Sequence, residues 1–164
     1  MATHPVERAP ETPWSVANDV VTLRTQAARQ FIDLTELVAE RVRQSGIENG
    51  LVSVVTRHTT TAIVVNEDEP LLLEDMAHLL DRLVPPDIRY AHDDMARRTE
   101  VAPDERENGA AHCRSLLLGA GQTLHVHRGI LQLGRWQRVF LVELDGPRPR
   151  TVSILVMGLR GAHA

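Results

Sequence analysis

The strongest constraint on the fold is a run of mostly β-branched residues from position 51 to 66, LVSVVTRHTTTAIVVN. These side chains are stiff at χ1 and favour extended backbone, so the run predicts strand. Because it exceeds the usual strand length of about 3 to 10 residues, it predicts two strands or one bent strand, with the bend at His58 to Thr60. In an unbroken strand His58, Thr60 and Asn66 share one face and Glu67 points the other way. An ordinary half-buried strand with a polar end is the alternative interpretation.

Two helical patterns flank this run, and β-type runs follow it. Apolar residues recur at helical spacing between Leu34 and Gly46, and Pro70 opens a second such segment that ends at Pro85-Pro86. Four β-type runs separated by Gly and Gly-Pro turns occupy the part of the chain after position 120. This order predicts an α+β fold with mixed or mostly antiparallel strands in two layers, with the helices at the edge.

Composition limits the organisation and the possible partners. Residues 1–17 are polar and contain prolines, which predicts a flexible leader before a single domain over 18–164. No apolar run approaches the ~18 residues that span a bilayer, so we expect no membrane partner. The net charge of −4 without clustered positive charge predicts no nucleic-acid partner. The single cysteine, Cys113, cannot form an internal disulfide, which predicts a cytoplasmic location.

The chain has eight histidines, and neutral imidazole is the commonest protein ligand for zinc-like metals. His58 lies on the β-branched run, while His92 and His112 border a polar segment over 87–109 that is long enough to be a site loop. Three such ligands with an open fourth position are typical of a catalytic metal site. Each histidine also fits an ordinary surface or hydrogen-bonded role. His125 and His127, on one strand face, are a second and weaker metal candidate.

Carboxylates and arginines complete the candidate site. Glu67 is a candidate general base, and Asp75 is a candidate for orienting an imidazole. Arg148 and Arg150 flank a proline after a Gly-Pro turn, where they are candidates for holding a phosphate or carboxylate, or for pairing with surface carboxylates. We interpret the acidic run over 104–107 as solvated loop. The sharpest hypothesis is that His58, His92 and His112 meet in one metal- or anion-binding pocket beside Glu67 and Asp75.

Several motifs, taken together and in order, resemble the YjbQ family, whose members are often labelled secondary thiamine-phosphate synthase. The resemblance runs over roughly residues 20 to 160 and rests on HTTTAIVVNE, YAHDD, NGAAH, GILQLGRWQ and ELDGPRPR. Three positions depart from the family pattern. Thr61 stands where alanine is usual, Ala110 where some members have a histidine, and His125 where proline is common.

The resemblance implies a mixed, mostly antiparallel β-sandwich with two main helices, assembled as a homotrimer with the shared residues in a pocket near subunit contacts. It also implies weak thiamine-phosphate synthase activity, which joins a pyrimidine diphosphate to a thiazole phosphate and releases pyrophosphate. The small phosphorylated molecule would be accompanied by a divalent metal, either zinc-like or Mg²⁺. The site roles that follow are catalytic for Asn66, Glu67 and Asp75, substrate-binding for Thr59, Thr60, Asn108, Gln137 and Arg148, and metal-ligating for His58, His92 and His112.

Three alternatives to this enzyme remain open at the level of sequence. A non-catalytic trimeric module that binds a metal or small ligand would use the same histidines. A metal-assisted hydrolase fits imidazole ligands better than a reaction dependent on Mg²⁺, because Mg²⁺ prefers oxygen donors. A purely structural trimer, with the polar residues at the subunit contact, is a further hypothesis.

Overall fold

Two antiparallel sheets form the framework of the computed structural model, which describes residues 14–161. The strands are β1 (Trp14–Arg24), β2 (Gln30–Asp33), β3 (Ile47–Thr56), β4 (Thr61–Glu67), β5 (Gly121–His127), β6 (Ile130–Leu131), β7 (Gln137–Glu143) and β8 (Pro149–Arg160). The larger sheet has the order β1-β8-β3-β5-β6, and the smaller has the order β2-β7-β4. The α+β fold with mostly antiparallel strands is confirmed, and every strand pair between residues 14 and 161 is antiparallel.

Three α-helices accompany the sheets: α1 (Thr35–Ser45), α2 (Pro70–Leu83) and α3 (Gly109–Leu118). Helix α1 ends at Gly46, which adopts a left-handed φ of 67° that favours glycine. Helix α2 begins at Pro70, after Glu69, whose carboxylate accepts backbone N–H groups of the first turn. The sequence predicted two main helices. It missed α3 because ten residues are too few to display a clear helical period.

Apolar side chains fill two cores on opposite faces of the smaller sheet. The first core lies between the two sheets and α1 and includes Val54, Ile63 and Leu141. The second lies between the smaller sheet and helices α2 and α3, and includes Leu80 and Phe140.

Strand β7 explains this layering, because its central residues are buried on both faces. Val139 and Leu141 point into the first core, whereas Phe140 and Val142 point into the second. A strand that is apolar on both faces needs cover on both sides. Helices α2 and α3 therefore cover the outer face of the smaller sheet, and the expectation that helices lie at the sheet edge was wrong for this pair.

The first strand also revises the boundary of the leader. Strand β1 begins at Trp14, which pairs with Leu159, so residues 14–17 are strand rather than leader. Residues 1–13, the rest of the predicted leader, lie outside the described residues. Between positions 14 and 161, no helix is both long enough and apolar enough to cross a membrane.

The topology brings three chain turns to one end of the sandwich. The β3–β4 turn contains His58, and the predicted bend there is confirmed as a break between two strands. Because Thr61 pairs with Glu143, the turn after β7 lies beside the β3–β4 turn. The backbone N–H of Arg57 donates to the carbonyl of Thr151 at 3.1 Å, which adds the start of β8 to the same end.

Candidate functional site

His58 is fixed against the start of β8 by its imidazole. The backbone N–H of Thr151 donates to His58 Nε2 at 2.7 Å, and Thr151 Oγ1 lies 3.0 Å from the same nitrogen. Because a backbone N–H can only donate, Nε2 is the acceptor and the neutral ring carries its hydrogen on Nδ1. Burial and then the nearby Arg150 charge lower the pKa of His58 below its ordinary 6.5, so the ring is neutral at pH 7.

The loop before α3 carries His92 to His112. It contains two short 3₁₀ helices, Ala91–Asp93 and Met95–Arg97. Asp93 Oδ1 accepts the backbone N–H groups of Asn108 at 2.9 Å and of Gly109 at 2.8 Å, which ties the loop to the first residues of α3. The rings of His92 and His112 consequently meet edge to face, with centroids 4.7 Å apart.

Position 109 must be glycine for the loop to pack this closely against the start of α3, because a Cβ at that position would lie 2.5 Å from Tyr90 Cβ. His112, in the first turn of α3, contacts this loop through the ring of His92. Burial, followed by the proximity of His92, lowers the pKa of His112 below 6.5. Its ring is therefore also neutral at pH 7.

These elements line an open cavity of about 390 Å³, which we call the His–Arg pocket. Its volume falls within the range typical of small-molecule sites, about 300 to 1,000 Å³. Its lining is dominated by imidazole and guanidinium groups and comprises His58, His92, His112, Arg57, Arg98, Arg148, Arg150, Thr59, Thr60, Glu105 and Asn108.

The lining is electropositive because it contains four arginines and one glutamate, although several of these charges are paired. Arg150 is bidentate on Glu143, at 2.6 and 2.5 Å, and both side chains are almost fully buried, with exposures of 2% and 0%. Arg148 Nη2 pairs with Asp145, and Arg98 Nη1 lies 3.3 Å from Glu105 Oε1. The hydrogen bond from Arg98 lowers the pKa of Glu105, so this carboxyl is ionised and engaged at pH 7.

Three polar atoms of the pocket are buried without a partner. Among the described residues, four buried side-chain N or O atoms lack a hydrogen bond, and three of them belong to Arg148 (Nε), His92 (Nε2) and Asn108 (Oδ1). The fourth, Asp81 Oδ1, still faces Arg114 Nη2 at 2.9 Å in an ion pair, whereas His92 Nε2 lies 4.0 Å from Glu105 Oε1, beyond hydrogen-bond distance. Since buried polar groups are normally hydrogen-bonded, this concentration at one cavity indicates a site for a polar ligand.

A metal does not fit the three histidines in this arrangement. Ligation needs a free lone pair on the ring, but the Thr151 N–H occupies Nε2 of His58 and the hydrogen occupies Nδ1. Within residues 14–161, no three His, Cys, Asp or Glu side chains are arranged to hold one ion. The chain thus brings the three predicted histidines into one pocket, but their chemistry there suits hydrogen bonding to an anion better than metal binding.

Four of the five predicted substrate-binding residues line the pocket, namely Thr59, Thr60, Asn108 and Arg148. Gln137 does not, since it pairs with Glu67 at the opposite end of the smaller sheet. Gln137 Oε1 instead accepts the backbone N–H of Gly134 at 2.7 Å.

The predicted catalytic carboxylates also lie away from the histidines. Thr61 is near the pocket, and the six strand steps from there to Glu67 span roughly 20 Å at about 3.3 Å per residue. Asn66 Nδ2 donates to Met76 Sδ, and neither Asn66, Glu67 nor Asp75 lines the pocket. The expectation that Glu67 and Asp75 lie close to the three histidines within one chain was wrong, because an extended strand separates the two ends of the HTTTAIVVNE motif.

The sequence analysis missed some pocket residues and overrated others. Glu105 was interpreted as solvated loop, but it lines the pocket, as do Arg57 and Arg98. The position of Glu105 and Arg98 in the predicted site loop was the available signal. His127 Nδ1 lies 2.9 Å from Asn49 Oδ1 on the exposed side of β5, outside the pocket.

Comparisons of the sequence and of the structure with known proteins point to one family. Residues 19–159 match the family model described as UPF0047 protein YjbQ-like. A UPF0047 protein of Methanothermobacter thermautotrophicus is 41% identical over 136 residues, which cover 83% of this chain and 88% of that protein. One from Archaeoglobus fulgidus is 41% identical over 134 residues, covering 82% and 96%. The crystal structure of a YbjQ-like protein from Sulfolobus solfataricus superposes with a TM-score of 0.81 at 33% identity, covering 89% of this chain and 99% of that one.

Proposed function

Because the chain belongs to the YjbQ-like UPF0047 protein family, we propose that it is a YjbQ-type enzyme that binds a small phosphorylated molecule in the His–Arg pocket. The observation that carries this proposal is the set of buried, unpartnered atoms on Arg148, His92 and Asn108. A phosphate oxygen accepts hydrogen bonds from guanidinium and imidazole N–H groups, so an anion would satisfy the first two. The Asn108 oxygen would accept from a donor elsewhere on the ligand.

The reaction we propose is weak thiamine-phosphate synthesis. The C–O bond between the pyrimidine methylene and its diphosphate breaks, and its electron pair leaves on the oxygen of pyrophosphate. The thiazole nitrogen supplies the electron pair for the new C–N bond, so no side chain has to become covalently attached. The pocket would stabilise the negative charge that develops on the leaving group, through Arg148 Nε–H and the Nδ1–H of neutral His58.

Binding is the first test of this proposal. Isothermal titration with inorganic pyrophosphate should show one site per chain, and Arg148→Gln should weaken it about tenfold or more, since a charged hydrogen bond contributes about 1.5–3 kcal/mol. Arg43→Gln is the matched control, because Arg43 lies on the exposed face of α1 and, within residues 14–161, forms its one ion pair with Glu40. Absence of pyrophosphate binding by the unaltered protein would contradict the proposal.

Activity is the second test. The protein should restore growth without thiamine to a strain that lacks its main thiamine-phosphate synthase, and His58→Ala should abolish rescue while the thermal unfolding curve remains cooperative. Purified protein should release pyrophosphate only when both substrates are present. Full rescue by His58→Ala would rule out the catalytic role of this pocket.

A non-catalytic binding module is the second candidate, and one observation favours it. Glu105 is the single carboxylate of the pocket lining, and its pairing with Arg98 leaves no free carboxylate there to act as general base, so that role would fall to an imidazole. The lack of a metal-holding arrangement among the described residues argues against the metal-assisted hydrolase. Pyrophosphate binding without turnover on the two thiamine precursors or on a panel of phosphate esters would favour the module over the enzyme.

We also propose that the protein is a cytoplasmic homotrimer. The outer face of the larger sheet carries apolar side chains that are exposed in the single chain, among them Val16, Val20, Leu51 and Val55. Contiguous apolar surface of this kind is typical of an association site. Sedimentation equilibrium should give three times the chain mass of 18.3 kDa. A monomer at micromolar concentration would contradict the assembly.

A further inference from the structure

We infer that a second cavity, on the far side of His58 and His112, binds the uncharged aromatic heterocycle of the ligand whose phosphates occupy the His–Arg pocket. We call it the ring cavity. It measures about 520 Å³, and its own walls come from Thr56, Ser115, Leu116, Gly119 and Ala120. The inference rests on the proposed function and assigns a place to the part of the substrate that phosphate recognition leaves unexplained.

The two cavities are neighbours that share a wall. Arg57, His58, Thr59 and His112 line both of them. A ligand that extends past the two imidazoles therefore enters the second cavity without passing through the protein core. Each cavity is large enough for a small-molecule group, and together they offer room for an organic diphosphate.

The polar groups of the walls that belong to the ring cavity alone are already hydrogen-bonded within the protein. Ser115 Oγ donates to the Thr61 carbonyl at 2.8 Å, and the Thr56 and Thr61 hydroxyls bond to each other at 2.5 Å. The Thr56 N–H donates to the Ala120 carbonyl at 2.9 Å. None of the buried unpartnered atoms of the described residues belongs to this lining. These walls offer van der Waals contact rather than new hydrogen bonds, which suits an uncharged ring.

Two further features suit an aromatic ring in particular. Leu116 is 84% exposed at this cavity, so a planar ligand would cover apolar surface that water now contacts. Burial lowers the pKa values of both His58 and His112, and neutral imidazole faces stack with heteroaromatic rings without a charge to desolvate. With both histidines neutral, Arg57 is the only charged side chain in this lining.

The test compares two probes by isothermal titration: inorganic pyrophosphate, which reaches only the His–Arg pocket, and the pyrimidine diphosphate of thiamine synthesis, which reaches both cavities. The unaltered protein should bind the pyrimidine diphosphate at least tenfold more tightly. Leu116→Asp should abolish this advantage and leave pyrophosphate affinity within twofold. Leu117→Asp is the matched control, because the neighbouring Leu117 is 59% exposed on the same helix but does not line the cavity.

Ala120→Phe provides an independent measurement, since Ala120 is exposed at the cavity wall and a larger side chain there would fill the cavity without disturbing the core. Ala120→Phe should also abolish the tighter binding of the pyrimidine diphosphate and leave pyrophosphate affinity within twofold. If Leu116→Asp does not fold, this variant alone tests the ring cavity. Equal affinity for the two probes, or equal effects of Leu116→Asp and Leu117→Asp, would overturn the ring cavity while the proposed function stands. Failure of both probes to bind the unaltered protein would refute the proposed function, and the inference with it.

Discussion

The buried ion pair behind the pocket should dominate the stability of this end of the sandwich. Glu143 is fully buried and accepts five hydrogen bonds. Oε2 accepts from Thr25 Oγ1 and Arg150 Nε, and Oε1 accepts from Arg150 Nη2 and the backbone N–H groups of Asp145 and Gly146. Burial alone would raise the pKa of this carboxyl, but these donors outweigh burial and hold it below the ordinary 4.5.

Glu143→Gln preserves the shape of the side chain while replacing one oxygen with an NH₂ group. Whichever oxygen is replaced, the new amide nitrogen faces one N–H of Arg150 and at least one other donor, so Arg150 is left as a buried charge without its counter-ion. Breaking a buried pair in this way costs about 3–5 kcal/mol. At a urea slope of about 2 kcal/mol/M, the unfolding midpoint should fall by about 2 M.

Urea denaturation followed by circular dichroism at pH 7.5 measures this loss. Glu40→Gln is the control, because Glu40 pairs with Arg43 on the exposed face of α1 and its removal should leave the midpoint unchanged. Arg150→Met should cost less than Glu143→Gln, since the carboxylate keeps its three other donors. A midpoint for Glu143→Gln within 0.5 M of the unaltered protein, about 1 kcal/mol at that slope, would refute the reasoning.

Three further predictions concern the histidines and the loop that carries them. The free energy of unfolding should decrease as pH falls below about 6.5, because His58 and His112 become protonated in the unfolded chain but, owing to their lower pKa values, not in the folded state. Urea unfolding midpoints at pH 7.5 and 5.5 measure this decrease. His112→Gln should reduce the difference between the two midpoints. Gly109→Ala should lose about 1–3 kcal/mol from the clash with Tyr90, and an unchanged melting temperature would contradict the contact. Asp93→Ala should release the loop from α3, which would appear as faster amide hydrogen exchange over residues 91–108 and weaker pyrophosphate binding. Unchanged exchange would show that the two hydrogen bonds accepted by Asp93 do not hold the loop.

Local sequence determined the elements and the identity of much of the pocket. The β-branched run predicted strands on both sides of His58, and Gly46 and Pro70 marked helix boundaries, because χ1 stiffness, left-handed φ and a missing N–H act within a few residues of the chain. The motifs also singled out His58, His92 and His112, which share one pocket. Such signals are readable from sequence because they depend on residue type and spacing alone.

Only the tertiary structure decided which of those residues meet and what they can do. Glu67 belongs to the same motif as His58, but the extended β4 strand carries it to the opposite end of the sheet. His58 has the side chain of a metal ligand, yet a backbone N–H from β8, 93 residues away in the chain, occupies its lone pair. Register and long-range hydrogen bonds arise from how distant segments pack, and that information is spread over the whole chain rather than held in any one motif.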